Sequence, residues 1–226
     1  YTGIGTLDLD GVKYQIPVTV VVYDAMMPAQ NHVQTLFDIW YDLIEDGEGY
    51  YSEELGKAYY DFLVSKRLMP TKAQNPIWNV NNMEEYSDWA AEKATDPNIS
   101  TYSLPYIANI NGDERSLSPE RVTQVLMALA EKNIELRQAG DMEIDLFKKA
   151  TFYLGSICDE PAGARMQTAR DCDLIITQCK AEVANTYFKA RYPDLYDSLM
   201  SLPHIVTSAY NAEMVGRESH LFWERW

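Results

Sequence analysis

The sequence predicts an α/β fold built from parallel βα units. Three observations lead there: β-branched and aromatic runs of strand length recur along the chain, amphipathic helical stretches separate them, and helix-entry signals stand in between. With 226 residues, 46% of them hydrophobic, the chain can bury one sizeable core. Parallel strands need crossover connections, so helices must cover such a sheet.

Residues 4–23, IGTLDLDGVKYQIPVTVVVY, alternate apolar and polar positions around Asp10 and Gly11, then run into a β-branched and aromatic stretch. This predicts a tight hairpin feeding a buried strand. The DLDG within it is a turn signal and not a calcium loop, because the later acidic ligands and the glutamate at the twelfth position are missing. HVQTLFDIW, ending at Trp40, reads as a second strand, although periodicity over so short a span fits a helix too. Ser52 followed by Glu53 and Glu54 opens a helix that closes at Arg67 before Pro70, with Leu55, Tyr59, Phe62 and Leu63 on one face. The stretch 71–117 is rich in Asn, Pro and Asp, with a short helix at 83–93 and an apolar patch, YSLPYIANI, at 102–110.

Ser118, Pro119 and Glu120 supply a cap, a first-turn proline and a first-turn acid, and Val122, Val125, Leu126 and Leu129 follow at helical spacing until Gly140. Residues 149–158 read as a buried strand. A long helix over 164–190 carries Ala169, Cys172, Ile176, Cys179 and Val183 as one stripe, which makes Cys172 and Cys179 core filling. HIVTSAYN after Pro203 is a final strand. About four or five βα units fit in this length, whereas a closed (β/α)₈ barrel takes ~250 residues. The expectation is therefore a TIM-type barrel, incomplete in this chain and truncated at its C-terminus.

Composition excludes several functions. Acids outnumber bases 34 to 19, a formal charge of −15 that repels phosphate backbones and anionic lipid headgroups. No apolar run approaches the roughly 18 to 20 residues of a membrane-spanning helix. The three cysteines, Cys158, Cys172 and Cys179, lack CxxC spacing, and the three histidines, His32, His204 and His220, form no HExxH, so neither a disulfide framework nor a zinc hydrolase is indicated. His204 fits a satisfied strand-end histidine better than a catalyst.

The chemistry concentrates in TFYLGSICDEPAG, residues 151–163. In βα architectures the C-terminal strand ends carry the site, and Pro161 stops a ladder just past Asp159 and Glu160. An ionised Asp159 facing the same cleft would raise the proton affinity of Glu160, suiting it to general acid work. The plainer alternative is that one acid caps the next helix while the other pairs with Arg165. Strand neighbours also point to opposite faces, so a joint role needs a twist or bulge at the rim.

VTVVVYDAMMPAQNHVQTLFDIW, the helix SEELGKAYYDFLVSKRLMP and then FYLGSICDEPAG resemble, in order and spacing over most of the chain, the catalytic domain of glycoside hydrolase family 123 and the related domain of unknown function 4091. The Asp-Glu-Pro is the most specific part of that resemblance. It implies a TIM-type barrel that hydrolyses terminal β-linked N-acetylgalactosamine with retention and without cofactor or metal, the sugar's own acetamido oxygen attacking the anomeric carbon. Asp159 would then orient the acetamido group, and Glu160 would protonate the leaving oxygen and later activate water. Ordinary glycosidases place two carboxyl groups roughly 5 to 9.5 Å apart across the bond; the substrate-assisted class is an exception, which admits adjacent acids.

Under this reading residues 1–17 are the end of a β-rich domain, residues 18–226 are the barrel, and flanking domains belong to the same parent chain. The partner is a glycan or glycoconjugate, with no nucleic acid and no membrane insertion, and the setting of a glycan hydrolase is more often outside the cytoplasm. Sugar-stacking candidates after the second and last strands are Trp40, Tyr41, Tyr210 and Asn211, with Trp78, Asn79 and Trp89 as a further wall. The competing expectation is a non-catalytic glycan-binding or structural module of a larger carbohydrate-active protein.

Overall fold

A computed structural model of the chain describes residues 1–26, 33–37, 39, 41–70, 82–105, 107–111, 114–159, 161, 163, 165–207 and 220–222. At the start, Asp10 and Gly11 take φ of 52° and 84° and join β1 (Thr2–Leu9) to antiparallel β2 (Val12–Thr19). Positive φ at both central positions is the type I′ turn that matches strand twist, and Gly11 adopts it without a Cβ clash. Register pairs Leu9 with Val12 and Leu7 with Tyr14, so these four share one face with Ile16 and Val18, each about half-exposed. The Tyr1–Val20 pair is doubly hydrogen-bonded, at 2.9 and 2.8 Å. Alternation from that pair puts Pro17 at a non-bonded position, where its missing N–H removes no ladder bond.

The buried strand expected after the hairpin is absent: residues 20–23 lie outside any strand, and Val20 to Tyr23 are 52% to 77% exposed. A β-branched run becomes a buried strand only beside a partner and under a cover, and no described strand pairs with it. Residues 33–37 also form no strand. Phe37 makes an isolated parallel bridge to Pro70, its N–H donating to the Met69 carbonyl at 2.7 Å.

Helix α1 spans Tyr41–Glu48 and α2 spans Glu53–Ser65, where the Ser52 hydroxyl accepts from the Leu55 N–H at 3.1 Å. The inward face of α2 differs from the expected one. Gly56 and Tyr60 are buried while Phe62 is 58% exposed. Gly56 explains the rotation: a Cβ there would lie 2.4 Å from the Tyr51 hydroxyl, so only glycine lets that ring lie on the helix. Helix α3 (Met83–Thr95) buries Tyr86 and Ala90.

Next come β3 (Tyr102–Ser103), an antiparallel hairpin of β4 (Ala108–Asn111) and β5 (Glu114–Leu117), and α4 (Pro119–Ala139). The Ser118 hydroxyl accepts from the Arg121 N–H at 3.3 Å, and Gly140 closes α4 in the left-handed conformation, φ 101°. Then follow β6 (Ala150–Tyr153), the single turn α5 (Gly155–Cys158), α6 (Arg165–Tyr187), α7 (Pro193–Ser201), β7 (His204–Thr207) and β8 (His220–Phe222).

Strands β3, β6, β7 and β8 form one parallel sheet in that order, with α4 in one crossover and α6 and α7 in the next. Among the described residues the sheet is open. Helix α4 packs against α6 and α3. The core lies between sheet and helices, with Tyr102, Leu126, Leu129, Phe152, Ile176 and Val183 fully or almost fully buried. The cysteine stripe behaves as expected, Cys172 and Cys179 facing inward.

Two outcomes are expected. Phe152→Ala should cost about 3–5 kcal/mol in urea unfolding, whereas Phe62→Ala should stay within ~0.5 kcal/mol; equal costs would reinstate the expected α2 face. Burial holds the phenols of Tyr60, Tyr86 and Tyr102 well above the ordinary tyrosine value of 10.0. A raised folded pKa gives stability that is complete below the unfolded value and lost above it. The urea midpoint should therefore fall as pH rises past about 10, and less steeply in a variant carrying phenylalanine at these positions.

Candidate functional site

The rim at the C-terminal ends of the parallel strands is organised by ladder bonds that run one residue past β3 and β6. The Leu104 N–H donates to the Thr151 carbonyl at 2.8 Å, and the Leu154 N–H to that of Ile205 at 2.8 Å. Beyond Leu154 the chain turns. Its carbonyl accepts from the Ile157 and Cys158 N–H groups at 2.8 and 2.9 Å, closing α5. Asp159, the C-cap of that turn, is extended at φ −77° and ψ 132°, with its side chain exposed, and Pro161 beyond it is buried.

This corrects the expected strand over 149–158. The strand stops at Tyr153, and a helical turn carries the chain to Asp159, so strand alternation does not govern where that carboxylate points. Glu160 lies outside the described residues, as do Trp40, Tyr210, Asn211, Trp78, Asn79 and His32. Tyr41 opens α1, and its side chain is likewise outside the description.

Trp89 is half-buried and packs against the core. Its ring lies 5.6 Å from that of Tyr86 and 5.7 Å, edge-on, from that of Tyr102, and the Lys93 ammonium sits 5.7 Å from its centroid. These contacts are core packing with a cation–π cover. His204 is buried at the start of β7, level with Phe152 of β6, with Nε2 2.7 Å from Asp173 Oδ1 on α6. It holds strand to helix, as the strand-end reading expected.

One residue at the rim escaped the sequence reading. Tyr153, the last residue of β6, is half-buried with its ring over Gly155, where an added Cβ would lie 2.4 Å from the phenol oxygen. The signal was present in an aromatic residue two positions before a glycine, directly upstream of the acids. Arg165 opens α6, six residues beyond Asp159. Strand β5 packs on α5 and α6 and so flanks this corner of the rim.

Among the described residues no group of three His, Cys, Asp or Glu side chains converges as a metal site, and no helix is long and apolar enough to cross a membrane. No family model matches the chain, and no curated protein matches it. The close approach at Gly155 has a measurable consequence. Gly155→Ala should destabilise by about 1–3 kcal/mol through overpacking, and much of that loss should vanish in a Tyr153→Ala background; additive losses in the double-mutant cycle would show that the ring does not rest on Gly155.

Proposed function

We propose that the chain is the (β/α)-barrel part of a retaining glycoside hydrolase of the β-N-acetylhexosaminidase type, acting on terminal β-linked N-acetylgalactosamine through the substrate's own acetamido group. One observation carries the reading: an exposed carboxylate, Asp159, stands past the C-terminal end of a strand in a parallel sheet, next in sequence to Glu160 and Pro161. The resemblance of FYLGSICDEPAG and the preceding blocks to glycoside hydrolase family 123 supplies the chemistry.

In this mechanism the acetamido oxygen displaces the leaving group and forms an oxazolinium ring. The Asp159 carboxylate orients the amide N–H and stabilises the charge that develops on it. Glu160 donates its proton to the glycosidic oxygen, then takes one from the water that opens the ring. Parallel strands running in chain order supply an arc of the barrel, and the β1–β2 hairpin belongs to an adjoining β-rich domain of the parent chain. A second reading, glycan binding without turnover, is favoured by a sheet that is open among the described residues, because an open arc organises fewer groups around a transition state.

The test is release of 4-nitrophenol from its β-N-acetylgalactosaminide and β-N-acetylglucosaminide by the parent-length protein. Glu160→Gln should lower kcat about 10²- to 10⁴-fold with an unchanged circular dichroism spectrum, and Asp159→Asn should also lower kcat. Turnover unaffected by both substitutions would exclude these roles. Saturable N-acetylgalactosamine binding with no hydrolysis by the wild type would select the binding reading.

A further inference from the structure

Register and alternation sort the parallel sheet into two faces. Tyr102 pairs with Ala150 and Phe152 with His204, and this set meets the helices, the Tyr102 ring lying edge-on to Trp89 of α3 and His204 reaching Asp173 of α6. Ser103 pairs with Thr151 and Tyr153 with Ile205; these four alternate with the first set and so face away from those helices. On this second face Ser103, Thr151 and Ile205 are buried, whereas Tyr153 is half-buried. Thr151 lies about 6–7 Å below Tyr153 along β6. Since Thr151 is wholly covered, a ligand entering along this face from the rim meets the Tyr153 ring and goes no deeper.

The ring is also held in place. A Cβ on Gly155 would lie 2.4 Å from the phenol oxygen and 2.7 Å from Cε1, so the edge of the ring rests on the first residue of α5. Helix α5 then carries the chain through one turn, about 6 Å of rise, to the exposed Asp159. A fixed aromatic ring and a carboxylate thus stand one helical turn apart at the open end of one sheet face. They bind different things: the ring takes apolar C–H surface, and the carboxylate takes N–H and O–H donors. A pyranose offers both, an apolar ring face and a polar edge.

We infer that Tyr153 is the platform of the site, its aromatic ring stacking on the apolar face of the pyranose while Asp159 meets the polar substituents at the edge of the sugar. This rests on the glycan reading of the rim and deepens it, and it holds for turnover and for binding alone. In this role the phenol transfers no proton; Tyr153 supplies affinity and orientation, and the chemical step stays with the acids.

The test is calorimetric titration of N-acetylgalactosamine into the parent-length protein, with circular dichroism on every variant. Tyr153→Phe keeps the ring and should hold Kd within about threefold, while Tyr153→Leu, apolar but without a ring, should weaken binding about tenfold or more, with KM for the 4-nitrophenyl glycoside rising in step. Equal affinity in wild type and Tyr153→Leu, or a loss in Tyr153→Phe as large as in Tyr153→Leu, would overturn the inference and leave the glycan reading standing. Should the leucine variant fail to fold, the wild type decides: saturating N-acetylgalactosamine should shield Tyr153 from nitration by tetranitromethane, read by peptide mapping against the exposed Tyr14. A Tyr153 ring nitrated equally with and without sugar, or not nitrated at all, overturns the inference. Neither saturable binding nor turnover by the wild type would instead remove the glycan reading, and this inference with it.

Discussion

The parallel ladder between β3, β6 and β7 is the constraint on which the rest depends. Tyr102 and Leu104 donate to the carbonyls of Lys149 and Thr151, and Phe152 and Leu154 to those of Pro203 and Ile205, all at 2.8 to 3.0 Å. Parallel neighbours cannot be joined by a tight turn, so each junction requires a long crossover, and the crossover must cover the sheet. Helices α4 and α6 do so, which is why their inward positions are almost wholly apolar.

Where the ladder stops, the rim begins. After Leu154 makes the last bond, the backbone satisfies itself locally in α5, and that turn delivers Asp159 to the surface while keeping Ile157 and Cys158 inside. Gly155 permits the turn to pass under the Tyr153 ring. Chemistry proposed at this corner thus rests on a short element whose geometry is inherited from the strand before it and from α6 behind it.

Polar groups inside the fold serve as anchors. The Lys180 ammonium donates to the Leu202 carbonyl at 2.9 Å, and His204 meets Asp173 at 2.7 Å, so α6 grips the entry to β7 twice. The Asn133 side-chain oxygen accepts from the Leu146 N–H at 3.1 Å and Asp145 from that of Phe147 at 2.9 Å, shaping the approach to β6. Buried polar atoms cost free energy unless bonded, so such pairs specify one arrangement of helix and loop.

The sequence alone determined the features governed by local rules. The Asp10-Gly11 turn, the Ser52 and Ser118 caps, the Gly140 stop and the inward stripe of α6 each follow from a few neighbouring residues. Tertiary structure decided what depends on a distant partner. Val21 to Tyr23 have β-strand composition but no described strand beside them; the α2 face turned because Tyr51 occupies Gly56; and the run ending at Asp159 divided into strand and helical turn because the ladder to β7 ends at Leu154. The adjacent acids were legible as a motif, yet their setting was not, since composition and spacing do not reveal where a neighbouring strand runs out of hydrogen-bond partners.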